Sequence, residues 1–257
     1  MQILSGSSEG EIIDATRPII VSAAEVADAH VIAPHRHPRG QLLYAESGVM
    51  QVSVGLSTWR ISPHCGVWVP SDMPHQVAAT TSVSYRSLFV SPAFSGILPR
   101  CGTALGIEPL TRELICEAAT FGAEYQTDSA EARLMAVLQD RLGKLSAAKL
   151  SLPLPRDARA KRVSQYLLDD PADARGLEAW GAIVGASSRT LARIFLRETG
   201  MSFGAWVQTM RLALALDRLA LGDSVTCVAT DLGYASPSAF SAMFRRRLGV
   251  SPRNYST

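Results

Sequence analysis

Residues 177 to 251 carry one helical pattern twice, the second copy offset by 49 residues. Ser187, Leu191, Ile194, Phe195, Arg197, Gly200 and Ser202 recur as Ser236, Phe240, Met243, Phe244, Arg246, Gly249 and Ser251. A short helical run ending in glycine precedes each copy, Leu177 to Gly185 and then Val225 to Gly233. A short helix, a glycine turn, a serine cap and an amphipathic second helix together spell helix-turn-helix. Such a repeat is hard to reconcile with an ordinary helical bundle, and its tandem form points to double-stranded DNA as the partner.

The chemistry at each helix start agrees. Ser187 and Ser236 offer side-chain oxygens to orphan amides at the N-terminus of the second helix. Pro237 stands at a first helical position, where its missing N–H is not needed. Leu191, Ile194 and Phe195 form one apolar stripe, and Phe240, Met243 and Phe244 form its counterpart. The residues left for DNA are Ser188, Arg189, Thr190, Arg193 and Arg197 in the first copy, and Ser236, Ser238, Ser241, Arg245 and Arg246 in the second. All can reach base edges or phosphates. A helical connector, about Phe203 to Leu221, separates the copies. At 1.5 Å per residue it spans roughly 28 Å, close to the ~34 Å between successive major grooves.

The runs Arg193-Ile-Phe-Leu-Arg-Glu-Thr-Gly-Met-Ser-Phe203 and Leu232-Gly-Tyr-Ala-Ser-Pro-Ser-Ala-Phe-Ser-Ala-Met-Phe-Arg-Arg-Arg-Leu-Gly-Val-Ser-Pro-Arg-Asn-Tyr255 closely resemble the DNA-binding domain of the AraC/XylS transcription regulators. The resemblance covers roughly the last hundred residues. It implies that both recognition helices enter DNA, with Arg189, Ala192 and Arg193 facing bases in the first. In the second the matching positions hold Pro237, Ser238, Ser241 and Ala242, shorter side chains than the family often carries. Phosphate anchoring through Arg245 and Arg246 is therefore expected of that helix. Trp180-Gly181 departs from the usual Leu-Ala.

Length and charge fit a two-part chain. A single core rarely exceeds about 250–300 residues, and this chain has 257. Residues 156–257 hold 14 Lys+Arg against 9 Asp+Glu, whereas residues 1–155 hold 11 against 14. The basic half is the half with the repeat, as phosphate binding requires. Cys65, Cys101, Cys116 and Cys227 lack CxxC spacing, so neither a zinc finger nor a disulfide framework is expected. No signal-peptide pattern opens the chain and no apolar run reaches the ~18 residues of a membrane span, which reads as a soluble cytoplasmic protein without a membrane partner; the AraC/XylS resemblance implies a bacterial one.

Residues 1–16 are polar and read as loosely ordered. From Ile19 to Phe94, short β-like runs alternate with Gly, Pro and Ser: Gln41–Glu46, Val49–Val54, Thr58–Ile61, Gly66–Val69, Gln76–Ala78 and Ser84–Val90. Their spacing predicts an antiparallel sandwich or barrel. Within it lie Pro34-His35-Arg36-His37-Pro38-Arg39-Gly40-Gln41 and Gly66-Val67-Trp68-Val69-Pro70-Ser71-Asp72-Met73-Pro74-His75. If His35 and His37 share a strand, alternation points both to one face, and His75 from a neighbouring strand can join them. His30 and His64 have no partner spacing and read as surface or turn residues. Asp72 reads as a turn cap.

This arrangement is similar to the two motifs of the cupin barrel, over about residues 20–95, and fits the sensing domain of many AraC-type regulators. The run His35 to Leu42 resembles a subgroup that often controls drug-efflux genes. The resemblance implies an effector pocket at His35, His37, Gln41, Trp68 and His75. Gln41 stands where metal-binding cupins place Glu. No cofactor is certain: three imidazoles can hold a divalent metal at His35, His37 and His75, or they can serve a polar pocket or a hydrogen-bonded core.

Residues 108–147 turn helical, with Leu134, Val137, Leu138, Arg141, Leu142 and Leu145 on one face and Leu110, Leu114 and Phe121 in a weaker stripe. This face either packs on the barrel or, as the family resemblance implies, forms a homodimer seam. Ser151-Leu-Pro-Leu-Pro155 reads as a stiff linker. The expected fold is α+β multidomain: a cupin-like barrel (1–98), a helical packing or dimerisation segment (99–150), a linker (151–155) and an all-α double helix-turn-helix domain (156–257). The expected function is a sequence-specific transcription regulator, not an enzyme, whose DNA affinity responds to a small-molecule effector or metal. The alternative is a metal-dependent cupin enzyme fused to a DNA-binding domain. No acid–base pair with a clear role, phosphate loop or nucleophile elbow supports that alternative.

Overall fold

The computed structural model describes residues 3–4, 8–12, 14, 16–26, 30–55, 57–61, 63, 65–79, 82–148, 151–220, 222–248 and 251–255. His64, Leu221 and Gly249 lie outside them. The chain divides into two compact units, Met1–Ser151 and Leu152–Thr257.

Among its described residues the N-terminal unit holds ten strands: β1 (Ile3–Leu4), β2 (Ile19–Val26), β3 (Val31–His35), β4 (Gly40–Ser47), β5 (Met50–Val54), β6 (Ser57–Ile61), β7 (Cys65–Val69), β8 (His75–Ala79), β9 (Val83–Val90) and β10 (Thr103–Gly106). They form two sheets, one ordered β1-β3-β8-β5-β6 within this unit and the other β10-β7-β4-β9-β2. Pairing is antiparallel except between β1 and β3. Alternation along β4 explains the layering. Leu43 and Ala45 point inward to meet Val52, Val67, Val69 and Val77 between the sheets. Leu42 and Tyr44 point outward, with Trp68 and Leu88, onto the helices α1 (Pro109–Phe121) and α2 (Ala130–Leu142).

Three expectations for this unit are corrected. Residues 99–150 are not purely helical, because β10 pairs with β7 and extends the sheet beyond residue 98. The buried faces of the helices are Thr111, Ile115 and Ala118 on α1 and Met135, Leu138 and Leu142 on α2. Leu110 and Val137, which the periodicity placed in the apolar stripes, are exposed. Nor are the described residues of the first sixteen loose: a 3-10 turn forms at Ser8–Glu11. Beyond it, the carbonyls of Ile12 and Asp14 accept from the Arg39 guanidinium at 2.8 and 2.9 Å. The carbonyls of Arg17 (3.0 Å), Phe89 (3.3 Å) and Pro18 (3.5 Å) complete the cage around this buried cation.

In the C-terminal unit the short strand β11 (Leu152–Leu154) leads into α3 (Ala158–Asp169), α4 (Leu177–Val184), α5 (Ser188–Thr199), α6 (Phe203–Ala220), α7 (Val225–Asp231) and α8 (Pro237–Leu248). The expected linker is thus built into this unit rather than left as a spacer. Leu152 and Leu154 are buried in its core, and Trp206 Nε1 donates to the Pro153 carbonyl at 2.7 Å. Trp180 is buried in the same core, stacked on Tyr166 and covered by Arg175. Among the described residues no disulfide joins the four cysteines, and no helix is long and apolar enough to cross a membrane.

Candidate functional site

Two sites emerge, one in each unit. In the C-terminal unit the recognition helices are set by their caps. Ser187 Oγ accepts the N–H of Thr190 at 3.2 Å, and Ser236 Oγ accepts that of Ala239 at 3.1 Å. The turn before each helix uses a left-handed glycine, Gly185 (φ 70°) and Gly233 (φ 74°), the conformation only glycine adopts without strain. Gly181 has a stricter reason to lack a side chain. A Cβ there would come within 2.2 Å of the Ala186 carbonyl, so the tight turn excludes the alanine expected by resemblance.

Burial of Leu191, Ile194 and Phe195 on α5, and of Phe240 and Phe244 on α8, turns the opposite faces outward. Ser188, Arg189, Arg193 and Arg197 are exposed on α5, and Ser238, Arg245 and Arg246 on α8; Ser241 is half-buried. Thr190 is half-buried with its hydroxyl 2.9 Å from Ser187 Oγ, and Ser236 is committed to its cap, so both shape the helix start. Arg197 pairs with Glu198 at 2.7 Å, whereas Arg247, which the pattern did not single out, bonds Gln208 at 2.9 Å. The 18-residue helix α6 joins the two modules, a length of roughly 27 Å at 1.5 Å per residue.

In the N-terminal unit the three predicted histidines converge. One ring nitrogen from each of His35, His37 and His75 lies within 4.8 Å of the others. Strand alternation is not the cause, since β3 ends at His35 and His37 sits in the following loop. The turn at Asp72 (φ 57°) positions that loop, its N–H donating to the His37 carbonyl at 2.9 Å. The rings are oriented by the backbone. Nδ1 of His35 donates to the Ala33 carbonyl at 2.9 Å, Nδ1 of His37 to Arg39 at 2.6 Å, and Nδ1 of His75 to Met73 at 3.0 Å. A carbonyl only accepts, so each Nδ1 carries the proton and each Nε2 of a neutral ring keeps its lone pair. Gln41 Oε1 lies 3.2 Å from Nε2 of His37 and 3.0 Å from Nε2 of His75, and Gln41 Nε2 donates to Ser87 Oγ at 2.9 Å. Burial pulls the His75 pKa down to about 4; the Met73 carbonyl opposes this, and the neighbouring His35 and His37 add to it.

A cavity of about 190 Å³ adjoins the cluster, lined by His35, Gln41, Tyr85, Ser87, Ser22 and Glu9 among others. Tyr85 and Ser87 have no motif around them, and only their place on β9 opposite β4 brings them here. Trp68 does not join them. It pairs with Leu42, so the pleat turns it to the helix side, where its indole donates to the Pro99 carbonyl at 2.8 Å. His30 is also corrected: it is buried, with its carbonyl accepting from Ala79 at 2.8 Å.

The comparisons match this layout. Residues 19–159 match the model of the AraC-like ligand binding domain, and residues 180–257 match that of a helix-turn-helix domain. The HTH-type transcriptional regulator NimR of Escherichia coli is 34% identical over 221 residues, covering 86% of this chain and 81% of that protein. The HTH-type transcriptional regulator RipA of Corynebacterium glutamicum is 40% identical over 105 residues, 41% of this chain and 32% of its own. The probable transcriptional regulator LumQ of Photobacterium leiognathi is 25% identical over 229 residues, 86% of this chain and 90% of its own. Regulators rather than enzymes are what this chain resembles along its length, which decides between the two readings of the histidines' setting. With a ligand-binding unit ahead of twin helix-turn-helix modules, the chain belongs to the AraC family of DNA-binding transcription regulators.

Proposed function

We propose that α5 reads the operator sequence through Arg189 and Arg193, and that α8 grips the backbone through Arg245 and Arg246. The observation that carries this is the unequal outer faces of the two helices. Arginines crowd the exposed start and middle of α5, while α8 begins with Pro237 and small residues and keeps its arginines for its last turn. Arginine forks read guanine edges with two hydrogen bonds, whereas the short serine and alanine side chains discriminate less between bases.

The effector occupies the cavity beside Gln41 and Ser87, and its binding shifts DNA affinity because it favours one of two states of the chain. The histidine cluster holds a divalent metal. Its three Nε2 lone pairs are directed by carbonyl-bonded Nδ1 groups, the support that metal-bound histidines usually have. The metal, when bound, supplies fixed positive charge beside the effector. Two chains pair through the outer faces of α1 and α2, which leave Leu110 and Val137 exposed. The target is an efflux or transport gene, a reading supported by the run His35 to Leu42.

Genome-wide mapping of bound sites in cells, followed by titration of the recovered sequence with wild-type and Arg193→Ala protein, tests the assignment. Loss of about 1–3 kcal/mol with relaxed preference at one base position is expected. Unchanged affinity and preference would overturn it.

A further inference from the structure

Gln41 poses a bonding conflict that identifies its role. As placed, its carbonyl oxygen faces two ring nitrogens, at 3.2 and 3.0 Å, that bear lone pairs when the rings are neutral, since each ring's one hydrogen is then given from Nδ1 to a carbonyl. Oxygen and lone pair cannot bond. Two arrangements remove the conflict without charging both rings. In one, a cation lies among the Nε2 atoms and the amide oxygen, so that every lone pair is used and the amide nitrogen still donates to Ser87. In the other, the amide is turned over. Its nitrogen then donates one hydrogen to each ring, and its oxygen accepts the Ser87 hydroxyl. Charging both rings instead would place two imidazolium groups with centroids 5.0 Å apart in a buried site, and none of their hydrogen-bond partners named above is a carboxylate.

We infer that the Gln41 amide is a two-position element, presenting its oxygen to a divalent cation held by His35, His37 and His75 and its nitrogen to the same rings when the cation is gone. This rests on the metal reading above. The consequence falls on Ser87, which lines the cavity together with Gln41 and His35. With the cation bound, Ser87 Oγ accepts from Gln41, and its own hydrogen is free to point into the cavity. Without it, that hydrogen is committed to Gln41. Cation loading thus gives the cavity a hydrogen-bond donor and favours an effector that places a carbonyl-type acceptor beside Ser87. Metal occupancy sets which small molecule the regulator senses.

Zinc alone is a sufficient probe. The full chain, labelled with nitrogen-15 in glutamine side chains, is titrated with zinc while the Gln41 amide signals, assigned by their loss in Gln41→Glu, are followed by NMR. Zinc is expected to move both Gln41 amide protons and to separate them, one bonded to Ser87 and one released. Ser87→Ala is expected to remove that separation in the loaded protein. Gln41→Leu should weaken zinc binding by about 10–100-fold, the loss typical when a group supporting a metal site is removed, whereas Gln41→Glu retains an oxygen donor and should hold zinc at least as tightly. If zinc binds in a manner dependent on the three histidines, but Gln41→Leu binds it as well as wild type and the amide signals stay fixed, the inference is wrong and the metal site stands. If zinc binds the wild type no more tightly than a variant lacking all three histidines, the metal reading fails and the inference falls with it.

Discussion

Glu198 and Asp157 are tied across the C-terminal unit: the Glu198 carboxylate, at the end of α5, accepts the backbone N–H of Asp157 at 2.9 Å, immediately before α3. The same oxygen accepts the Arg156 N–H at 2.8 Å. One side chain of the first recognition helix therefore holds the entry of the chain into its own domain. Glu198→Ala leaves two amides without that acceptor. A loss of about 1–3 kcal/mol in urea unfolding is expected, and Glu198→Gln should recover part of it by keeping an oxygen in place.

Asp157 is the N-cap of α3 and also pairs with Arg159. The side-chain hydrogen bond from Arg159, against the opposing cost of burial and with help from backbone N–H groups, lowers its pKa to about 2 from the ordinary 3.8. A carboxyl held low contributes stability that is complete above its unfolded pKa and lost as pH falls through its folded one. Asp157→Ala should cost about 1 kcal/mol near neutrality, as loss of a cap does. Its deficit against wild type should shrink steadily between about pH 4 and pH 2, measured by denaturant titration at each pH.

Arg245 and Arg246 are exposed in the last turn of α8. Their replacement by alanine together should weaken binding to all duplexes alike. It should also flatten the dependence of log affinity on log salt, by about one unit for each phosphate no longer neutralised. Fluorescence anisotropy over a salt series checks this. A change confined to one operator sequence would instead mark them as base readers.

Gly10 touches the histidine cluster directly. A Cβ at that position would lie 2.5 Å from His37 Cγ, far inside contact distance. Gly10→Ala should therefore displace either the N-terminal turn or the His37 ring, lowering stability by about 1–3 kcal/mol as overpacking does. Imidazole NMR signals of His37 should shift more than those of His35.

The sequence exposed the C-terminal unit almost completely because its information is local. Caps at Ser187 and Ser236, stripes at helical spacing and glycine stops are each decided within a few residues. In the N-terminal unit the short β-like runs between turn residues mark the strands, and the motif marks the histidines. The rest depends on pairing partners. The resemblance implies Trp68 as a pocket residue beside the histidines, yet its register opposite Leu42 turns it to the other face. Ser87 and Tyr85 enter the site only through the β4–β9 pairing, which no motif announces. Leu110 and Val137 fell in the periodic stripes, but the faces that meet the sheet are rotated from them. The stretch 151–155 reads as a spacer because proline breaks helices, and only the burial of Leu152 and Leu154 within it reveals its place.

The carbonyl cage around Arg39 bears on how this protein can be handled. The guanidinium is sealed from solvent, and four of its five acceptors come from residues 12–18. Trimming the chain to begin at the first long strand would strip those acceptors and strand a buried positive charge, a loss worth several kcal/mol. An N-terminal unit expressed from Ile19 onward should aggregate, even though every sheet strand from β2 to β10 would still be encoded.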